Sequence, residues 1–506
     1  MSGVDSLRAL LHARAAAHPA RVFARFPESG RQIDFAGLRA NALGLAAELA
    51  ARGIAPGERV AFLLPNGYQA LSLFIGLQAA GAVAVPLSLL AQGAQLAHVL
   101  EHARVRRVFV APDLEERLRE ALALVADGAA IQVTTLDPDA PAPWDGTQAA
   151  AWPWPAPAAG DDALQMYTSG TTGKPKGVVL SHANLLAGAR FVSEAHRLGA
   201  DDRVLAVLPL YHINAQVVTA LAPLWHGGSL VMPRRFSVHA FWELAEDHAC
   251  TWINLVPTMI AYLLAAPGAA APDPRLRFCR SASAPLPPAQ HRAFEQRFGL
   301  GIIETMGLTE TAAPCFSNPL DPAQRRIGSP GRPWGNEARI ADPRTGEVLG
   351  DERTGEIQVR GPNVMKGYHR DPQATALAFA DGGWLRTGDL GHRDHEGYYF
   401  VTGRIKELII KGGENISPRE IDEALLRHPA VLEAAAVGIP DPLYGQDIGA
   451  GIVLRADARC ELEELLDFCR AELGPFKTPR VLRVLAELPK GPSGKVQRLR
   501  LLPYFD

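Results

Sequence analysis

The sequence predicts an α/β protein with a large N-terminal domain of βαβ subdomains, a β-rich subdomain and a small C-terminal α+β domain. Three observations support this prediction. The chain of 506 residues is too long for a single hydrophobic core. Strand-like and helix-like apolar runs alternate through its first half. Past Gly355 the pattern changes to short runs of alternating hydrophobicity, which are typical of β-hairpins.

The alternating half predicts a parallel sheet with helices on both faces. Its first amphipathic helix begins at Asp34, a residue type favoured at the helix N-cap. The predicted strands are 59–64, 82–87, 107–110, 203–208, 229–232 and 251–256, and the predicted helices are 34–50, 68–80, 92–103, 114–125, 183–195 and 238–248.

Residues 60–100 contain no Asp, Glu, Lys or Arg, and an uncharged run of this length suggests a membrane span. Pro65, Gly67, Gly81 and Pro86 divide the run into pieces shorter than a bilayer. A buried strand–helix–strand unit therefore explains it better, and no integral membrane association is expected.

A domain boundary is predicted at 403–407, where the hairpin pattern ends. It divides the chain into a large domain (1–403), a hinge (404–406) and a small domain (407–506). Within the small domain the pattern predicts a helix at 418–428, a strand at 431–439 and a helix at 461–473.

Composition limits the classes of partner. The net charge of −3 provides no electrostatic footprint for nucleic acid or an anionic membrane. The five cysteines are scattered without a CxxC pair, which favours reduced thiols over disulfides or a zinc site. The N-terminal residues lack the apolar segment of a secretory signal. We therefore expect a cytoplasmic protein, a monomer or a homodimer.

Residues 167–177, YTSGTTGKPKG, contain three glycines, four serine or threonine hydroxyls and two lysines. Glycines allow the backbone to turn its N–H groups inward, while hydroxyls and lysines add donors and positive charge. This composition suits the binding of polyphosphate. The usual P-loop spacing is absent, because Pro175 and Lys176 stand where a Gly-Lys pair would be needed. From composition alone, a surface loop rich in small residues remains the alternative.

A second motif, His98-Val99-Leu100-Glu101-His102, matches the HxxEH pattern of some zinc metallopeptidases. Both histidines would lie on one face of a helix. No downstream acidic ligand stands out, and a zinc site needs a third ligand and supporting contacts. A surface helix is therefore preferred.

A series of further motifs follows in order along the chain. They are YTSGTTGKPKG (167–177), PLYHINAQ (209–216), SASAPL (281–286), ETMGLTE (304–310), GEIQVRGPNVMKGY (355–368), WLRTGDLG (384–391), GRIKELIIKGGENISPREIDEAL (403–425) and PKGPSGKVQR (489–498). Together they resemble the acyl-adenylate-forming superfamily, in particular the acyl- and aryl-CoA synthetases, over nearly the whole chain.

The resemblance implies a reaction in two halves. A carboxylate attacks the α-phosphorus of ATP to give acyl-AMP and pyrophosphate, and coenzyme A then displaces AMP to give a thioester. ATP, Mg²⁺, coenzyme A and a small-molecule carboxylic acid are thus the expected cofactors and partners. Such a site must neutralise phosphate charge and position the carboxylate.

The resemblance also assigns the nucleotide site. The implied ATP- or AMP-binding residues are Thr168, Ser169, Gly170, Thr171, Thr172, Gly173, Lys176, Ser283, Ala284, Thr305, Met306, Gly307, Thr309, Asp389 and Arg404. Glu310 matches the Mg²⁺-binding glutamate, although Thr309-Glu310 alone could equally be a helix N-cap. Met306 departs from the aromatic residue usual there, which puts adenine affinity in doubt.

Lys495 matches the lysine that bridges the carboxylate and α-phosphate during adenylation, and it is expected to act with Thr171, His212 and Glu310. Lys406 stands at the family's hinge position. The resemblance implies that the small domain turns there, withdrawing Lys495. The same rotation would bring Lys411, Gly412 and Gly413 to the coenzyme A tunnel.

The expected acyl pocket contains His212, Asn214, Gln216 and Asn254. Asn214 and Gln216 are predicted on one face of an extended segment, and strand alternation places Asn254 beside Trp252 and Val256. Buried amides facing a hydrocarbon chain would be costly, so we expect a small or medium polar acid. Bonding of these amides to backbone alone is the open alternative.

Residues 209–216 with FSVHAFWELAE (236–246) are nearest to the carnitine/crotonobetaine–CoA ligase branch. That branch tends to carry an acid at the position of Asn254, so the neutral amide argues against a quaternary ammonium substrate. Two other functions stay open: an adenylating enzyme that loads a separate carrier protein, and a non-catalytic nucleotide- or acyl-binding protein of the same fold.

Overall fold

A computed structural model describes residues 3–146, 151–168, 175–267, 273–456, 458–491 and 496–505. Its strands, in chain order, are β1 (Val22–Phe26), β2 (Arg31–Asp34), β3 (Arg59–Leu63), β4 (Val83–Pro86), β5 (Arg107–Val110), β6 (Gln132–Thr135), β7 (Asp162–Thr168), β8 (Lys176–Ser181), β9 (Arg203–Leu205), β10 (Ser229–Val231), β11 (Trp252–Leu255), β12 (Phe278–Ser281), β13 (Ile302–Leu308), β14 (Ala313–Ser317), β15 (Arg332–Pro333), β16 (Glu337–Ala341), β17 (Gly355–Arg360), β18 (Gly367–Tyr368), β19 (Phe379–Ala380), β20 (Trp384–Arg393), β21 (Tyr399–Arg404), β22 (Ile409–Lys411), β23 (Glu414–Ile416), β24 (Val431–Asp441), β25 (Gly445–Leu454) and β26 (Val481–Val484).

The α-helices connect and cover these strands. They are α1 (Leu7–Ala17), α2 (Phe35–Ala51), α3 (Tyr68–Ala80), α4 (Gly93–Ala103), α5 (Glu115–Leu122), α6 (His182–Ala195), α7 (Ala222–His226), α8 (Phe241–Asp247), α9 (Pro257–Ala265), α10 (Pro288–Phe298), α11 (Pro372–Ala378), α12 (Pro418–Arg427) and α13 (Leu462–Leu473). Asp34 caps α2 as predicted, since its carboxylate accepts a 2.7 Å hydrogen bond from the Gly37 amide.

Two large sheets form the N-terminal part. One has seven strands in the order β18-β8-β7-β4-β3-β5-β6, and the other has nine in the order β15-β14-β13-β12-β11-β9-β10-β1-β2. Pairing is parallel from β7 through β4, β3 and β5 to β6, and again from β13 through β12, β11, β9 and β10 to β1. The predicted α/β class is confirmed.

Most of the uncharged run at 60–100 is buried protein core. Helix α3 buries nearly every residue, and the flanking strands β3 and β4 pair in parallel. An element covered on all sides can be apolar all round without entering a membrane. Among the helices of the described residues, none is both long and apolar enough to cross a bilayer.

The hairpin pattern after Gly355 forms a third sheet, in the order β16-β17-β20-β19 with β21 paired to β20. Its last strand ends at Arg404 and leads into a short 3₁₀ turn, Ile405–Glu407. Beyond this turn the chain builds a fourth sheet, β23-β22-β25-β24 with β26 on β25, which has its own apolar clusters. The boundary at 403–407 stays a prediction that this change of sheet favours.

Contacts hold the C-terminal sheet against the large part. The Ser417 hydroxyl donates to the Thr402 carbonyl at 2.5 Å. The Lys490 ammonium lies 2.8 Å from a Glu433 carboxylate oxygen and donates to the Tyr262 hydroxyl at 3.0 Å. The Ser417–Thr402 and Lys490–Tyr262 bonds cross between the two parts and favour one orientation, whereas Lys490 and Glu433 both belong to the C-terminal part.

Glu304 is a buried carboxylate near the same boundary. Its Oε1 accepts a 3.0 Å hydrogen bond from the Leu286 amide, whereas Oε2 has no described partner. Burial raises the pKa of Glu304 to about 7, an effect that the charge of Arg419 in α12 partly offsets.

We predict that Glu304→Gln removes part of the pH dependence of stability. Because the pKa of Glu304 in the fold lies above that of the unfolded chain, the fold holds this proton more tightly and loses stability as pH rises through 7. Thermal unfolding from pH 5 to pH 8 should show E304Q gaining a few degrees on the wild type at the alkaline end. An equal difference at every pH would contradict the assignment.

Candidate active site

The motif segments 209–216, 281–286 and 304–310 meet where three parallel strands end. Strands β11, β12 and β13 are neighbours, with Asn254 opposite Arg280 and Arg280 opposite Ile303. The carboxyl ends of parallel strands lie at one edge of a sheet, which is where such folds place their ligands. Residues 281–286 follow β12 at this edge, and residues 305–310 complete β13 and the turn after it.

The segment after β12 has a constrained backbone. Ser283 has a positive φ of 75°, an uncommon conformation for a residue with a side chain, and Ala284 follows it. The Ser283 hydroxyl accepts a 3.1 Å hydrogen bond from the Asn214 amide. Thr305, on the neighbouring strand, donates to the Ser281 carbonyl at 3.3 Å. The two predicted nucleotide segments are therefore joined to each other.

Gly307 is required by a close backbone approach. A Cβ at this position would lie 2.1 Å from the Ala313 carbonyl oxygen. Met306 precedes it, half-buried, in antiparallel register with Phe316 of β14. Its thioether is a polarisable, adaptable surface that can cover the face of a base.

Glu310 lies in a short 3₁₀ turn, Thr309–Thr311, and is held from β18. The Tyr368 hydroxyl donates to Glu310 Oε1 at 3.0 Å, and the Lys176 ammonium lies 5.0 Å from the centre of the Tyr368 ring. Burial and the Glu310 charge both raise the pKa of Tyr368. Leu308 is the N-cap of this turn, and its amide donates to the Thr311 hydroxyl at 2.9 Å, so the interpretation of Thr309 as an N-cap is wrong.

Asp389 and Arg404 are cross-strand partners on β20 and β21. The guanidinium Nε donates to the carboxylate at 2.5 Å, and Asp389 is 7% exposed. Asp389, followed by Glu407 and Glu310, raises the pKa of Arg404. Arg404 thus lies near three carboxylates. Because one of them is Glu310, the β-rich sheet lies beside the carboxyl end of β13.

The segment carrying His212 departs from the prediction. Residues Asn214–Leu221 form a π-helix instead of an extended strand, so the expectation that Asn214 and Gln216 share a face is wrong. Gln216 is fully buried and donates to the Leu210 carbonyl at 2.7 Å, which is the backbone-only bonding left open above. π-helical turns are rare and occur often at functional sites.

Asn66 holds the loop before this π-helix. Its amide donates to the Leu208 carbonyl at 3.0 Å, and its oxygen accepts from the Leu210 amide at 2.8 Å. The His212 ring packs on Tyr211, with centroids 4.6 Å apart, and burial raises the pKa of Tyr211 to about 12. The sequence places Asn66 between a predicted strand and a predicted helix and gives no indication of this contact.

The predicted acyl-pocket amides converge on an arginine that sequence reasoning missed. Nη1 of Arg280 donates to Asn214 Oδ1 at 3.0 Å and to Asn254 Oδ1 at 2.8 Å. The Asn254 amide also donates to Asn214 Oδ1 at 3.2 Å. The available signal in the sequence was a charged residue in the apolar strand Phe278–Ser281. Its role becomes visible only when the pairing of β11 with β12 places Asn254 opposite Arg280.

The predicted tunnel residues lie in the β22–β23 hairpin. Gly412 and Gly413 are its two turn residues, with φ of 58° and 88°, so turn geometry alone requires glycine there. The Lys411 side chain is buried and lies 2.6 Å from Asp447. Lys406 is exposed in the 3₁₀ turn after Arg404.

Some predicted residues fall outside the described ranges. Thr168 and Lys176 are cross-strand partners at the end of the β7–β8 hairpin. The residues that lie outside are Ser169, Gly170, Thr171, Thr172, Gly173 and Lys495.

The HxxEH motif does not gather metal ligands. His98 and His102 stack with ring centroids 5.5 Å apart on α4, and His102 Nδ1 lies 2.8 Å from the Tyr167 hydroxyl. Across the described ranges, the one group of three or more potential ligands close enough to share a cation is His428, Cys460 and Glu464, on the C-terminal part.

Comparison with known families matches both parts of the chain. Residues 11–369 match the AMP-binding enzyme family, and residues 420–495 match the AMP-binding enzyme C-terminal domain. The chain belongs to the AMP-binding enzyme family. The superfamily resemblance read from the motifs is confirmed, and so is the assignment as an AMP-forming acid–CoA ligase, which uses ATP, Mg²⁺ and coenzyme A.

This ligase is similar to named relatives over nearly its whole length. It is 56% identical to a sulfoacetate–CoA ligase of Cupriavidus necator, over 98% of this chain and 97% of that one. It is 34% identical to an oxalate–CoA ligase of Arabidopsis thaliana, with coverage of 90% and 89%. Among solved structures, ATP-bound MatB from Rhodopseudomonas palustris matches with a TM-score of 0.88, 31% identity and 99% coverage of both chains.

We predict that Asn66→Ala destabilises the loop that carries His212. Removing the side chain leaves the Leu208 carbonyl and the Leu210 amide without their partner, which costs about 1–3 kcal/mol. Thermal unfolding of N66A should show a lower Tm than the wild type. Replacing the exposed Asn415 by alanine is the matched control, and an equal change in both variants would contradict the role.

Proposed function

We propose that this ligase activates a small carboxylic acid that carries a second anionic group, with sulfoacetate as the best candidate. The observation that carries the proposal is the 56% identity, over 98% of the chain, to a sulfoacetate–CoA ligase. The buried amides Asn214 and Asn254 and the guanidinium of Arg280 support it, because such groups favour a polar acid over a hydrocarbon chain.

In the proposed first half-reaction, a carboxylate oxygen attacks the α-phosphorus of ATP and pyrophosphate leaves. Thr168, Lys176 and the loop between them hold the β- and γ-phosphates. Glu310, held by Tyr368, fits Mg²⁺, since a hard cation prefers carboxylate and phosphate oxygens. Lys495 neutralises charge between the carboxylate and the α-phosphate, while Thr171 and His212 position the reacting groups.

The nucleotide is proposed to lie along the ends of β12 and β13. Ser283, Ala284 and Met306 cover the adenine, and Thr309 contacts the α-phosphate. The Asp389 carboxylate suits the ribose hydroxyls, because an ionised carboxylate is an acceptor of several hydrogen bonds. Arg404, already paired with Asp389, adds positive charge beside them.

In the proposed second half-reaction, the coenzyme A thiolate attacks the acyl carbon and the bond to the AMP oxygen breaks. The small domain, 407–506, turns at Lys406 and withdraws Lys495. The hairpin turn at Gly412 and Gly413 then lines the thiol path. The buried pair of Lys411 with Asp447 gives this hairpin a rigid base.

We also propose a cytoplasmic enzyme that is a monomer or a homodimer and uses free coenzyme A. Its five cysteines are free thiols, which suits a reducing compartment. The alternative thiol acceptor is a separate carrier protein. Measuring thioester formation with coenzyme A as the only thiol distinguishes the two acceptors.

The substrate class is tested with a pyrophosphate-release assay, first without and then with coenzyme A. The panel contains sulfoacetate, oxalate, malonate, butyrate, benzoate and palmitate. We expect the highest kcat/KM for sulfoacetate and little activity with palmitate, because an alkyl chain offers no acceptor to the buried guanidinium of Arg280. A clear preference for palmitate or benzoate would overturn the proposed class.

We predict that Lys495→Ala separates the two half-reactions. Acyl-AMP formation should fall by about a thousandfold, since the developing charge loses its stabilising cation. Thioester formation from supplied acyl-AMP should persist. Lys477→Ala, which removes a partly exposed lysine paired with Glu420, is the control. Equal loss of both half-reactions in K495A would refute the proposed division of labour.

A further inference from the structure

Arg280 is a buried cation with no acidic partner in the described part of the chain. It is 1% exposed, and its Nη1 group bonds to the oxygens of Asn214 and Asn254. Nε is buried with no hydrogen-bond partner, and no ion pair to Arg280 occurs among residues that the structure describes. A guanidinium offers five N–H donors, so beyond the two bonds to the amides the unpartnered Nε leaves donor capacity for a further acceptor.

The neighbouring titratable groups do not supply the missing charge. His196 stacks on Phe278, two residues before Arg280, and burial lowers its pKa to about 3, so it is neutral. Burial raises the pKa of the Cys279 thiol, which is neutral as well. Burial also lowers the pKa of Arg280 to about 9, so the guanidinium stays protonated at neutral pH.

Burying a charge without a counter-ion costs several kcal/mol, and proteins normally pair such groups. By contrast, Arg107 is as deeply buried and lies 3.2 Å from Glu48. Arg280 instead meets two neutral amides, which orient the guanidinium without neutralising it. The arrangement is that of a cationic site that a ligand anion completes.

The position of the cluster formed by Asn214, Asn254 and Arg280 indicates which ligand supplies the anion. Asn214 stands two residues after His212 and also bonds to Ser283, in the segment proposed to bind the nucleotide. Asn254 comes from the end of β11, and Arg280 from the end of β12. The guanidinium therefore lies beside the place where the acid must meet the α-phosphate.

We propose that Arg280 binds the second anionic group of the acid, with Asn214 and Asn254 fixing the orientation of the guanidinium. This inference rests on the proposed function and deepens it. The sulfonate of sulfoacetate offers three acceptor oxygens, and a carboxylate offers two. Charge-assisted bonds to a planar guanidinium are short and directional, so such an acid is held at both ends. A cationic acid is rejected by like charge.

The test compares kcat/KM for sulfoacetate with that for butyrate, an uncharged-tail acid, in the pyrophosphate-release assay. Arg280→Gln should lower the sulfoacetate-to-butyrate ratio by about 100-fold, because it removes the charge that only the dianion uses. The loss should appear in KM for sulfoacetate. A merely structural role would lower both activities together and leave the ratio unchanged.

Asn254→Asp provides a second variant with almost the same shape as the wild type. Its carboxylate would lie within bonding distance of Arg280 and neutralise it, so the ratio should fall as in R280Q. Arg107→Lys, which alters a buried arginine that has its own carboxylate, is the matched control and should keep the ratio.

The two proposals fail in different ways. A wild-type enzyme that forms no acyl-AMP from sulfoacetate, oxalate or malonate would overturn the proposed function. A wild-type enzyme that prefers sulfoacetate, with that preference intact in both R280Q and N254D, would overturn the role of Arg280 alone.

Discussion

The parallel register of β11, β12 and β13 is the constraint on which the candidate site depends. Hydrogen bonding between the strands sets Asn254 opposite Arg280 and aligns the three carboxyl ends. A slip of one residue would turn each side chain to the opposite face. The segments proposed to bind the nucleotide, 281–286 and 305–310, depend on this one alignment. So does the cluster of Asn214, Asn254 and Arg280, the amide–arginine cluster.

The sequence was most informative where close backbone packing or charge pairing limits residue type. Backbone approach fixes Gly307, and charge complementarity fixes Glu310, Asp389 and Arg404, so these positions can be found from motifs. The structure brings Glu310, Asp389 and Arg404 together. The alternating pattern also predicted the bounds of α3 and β5, since a buried element shows its length in its apolar run.

Other features could not be read from the sequence because they depend on neighbours distant in the chain. Asn214–Leu221 is rich in β-branched and small residues, which suit a strand as well as a helix, so its composition does not indicate the π-helix. Arg280 resembles an ordinary strand arginine until Asn254 and Asn214 are placed around it. The glycines of the β22–β23 turn can be explained by local geometry without any ligand.

The amide–arginine cluster is assembled from three separate elements: a π-helix, β11 and β12. The net charge of the cluster is therefore set by three side chains that can be substituted independently. None of the three belongs to the segments proposed to bind ATP. A single-base change in the codon of Asn254 yields aspartate, whose negative charge would cancel the positive charge of Arg280. Substrate range can thus evolve in single steps while the chemistry of adenylation is inherited unchanged.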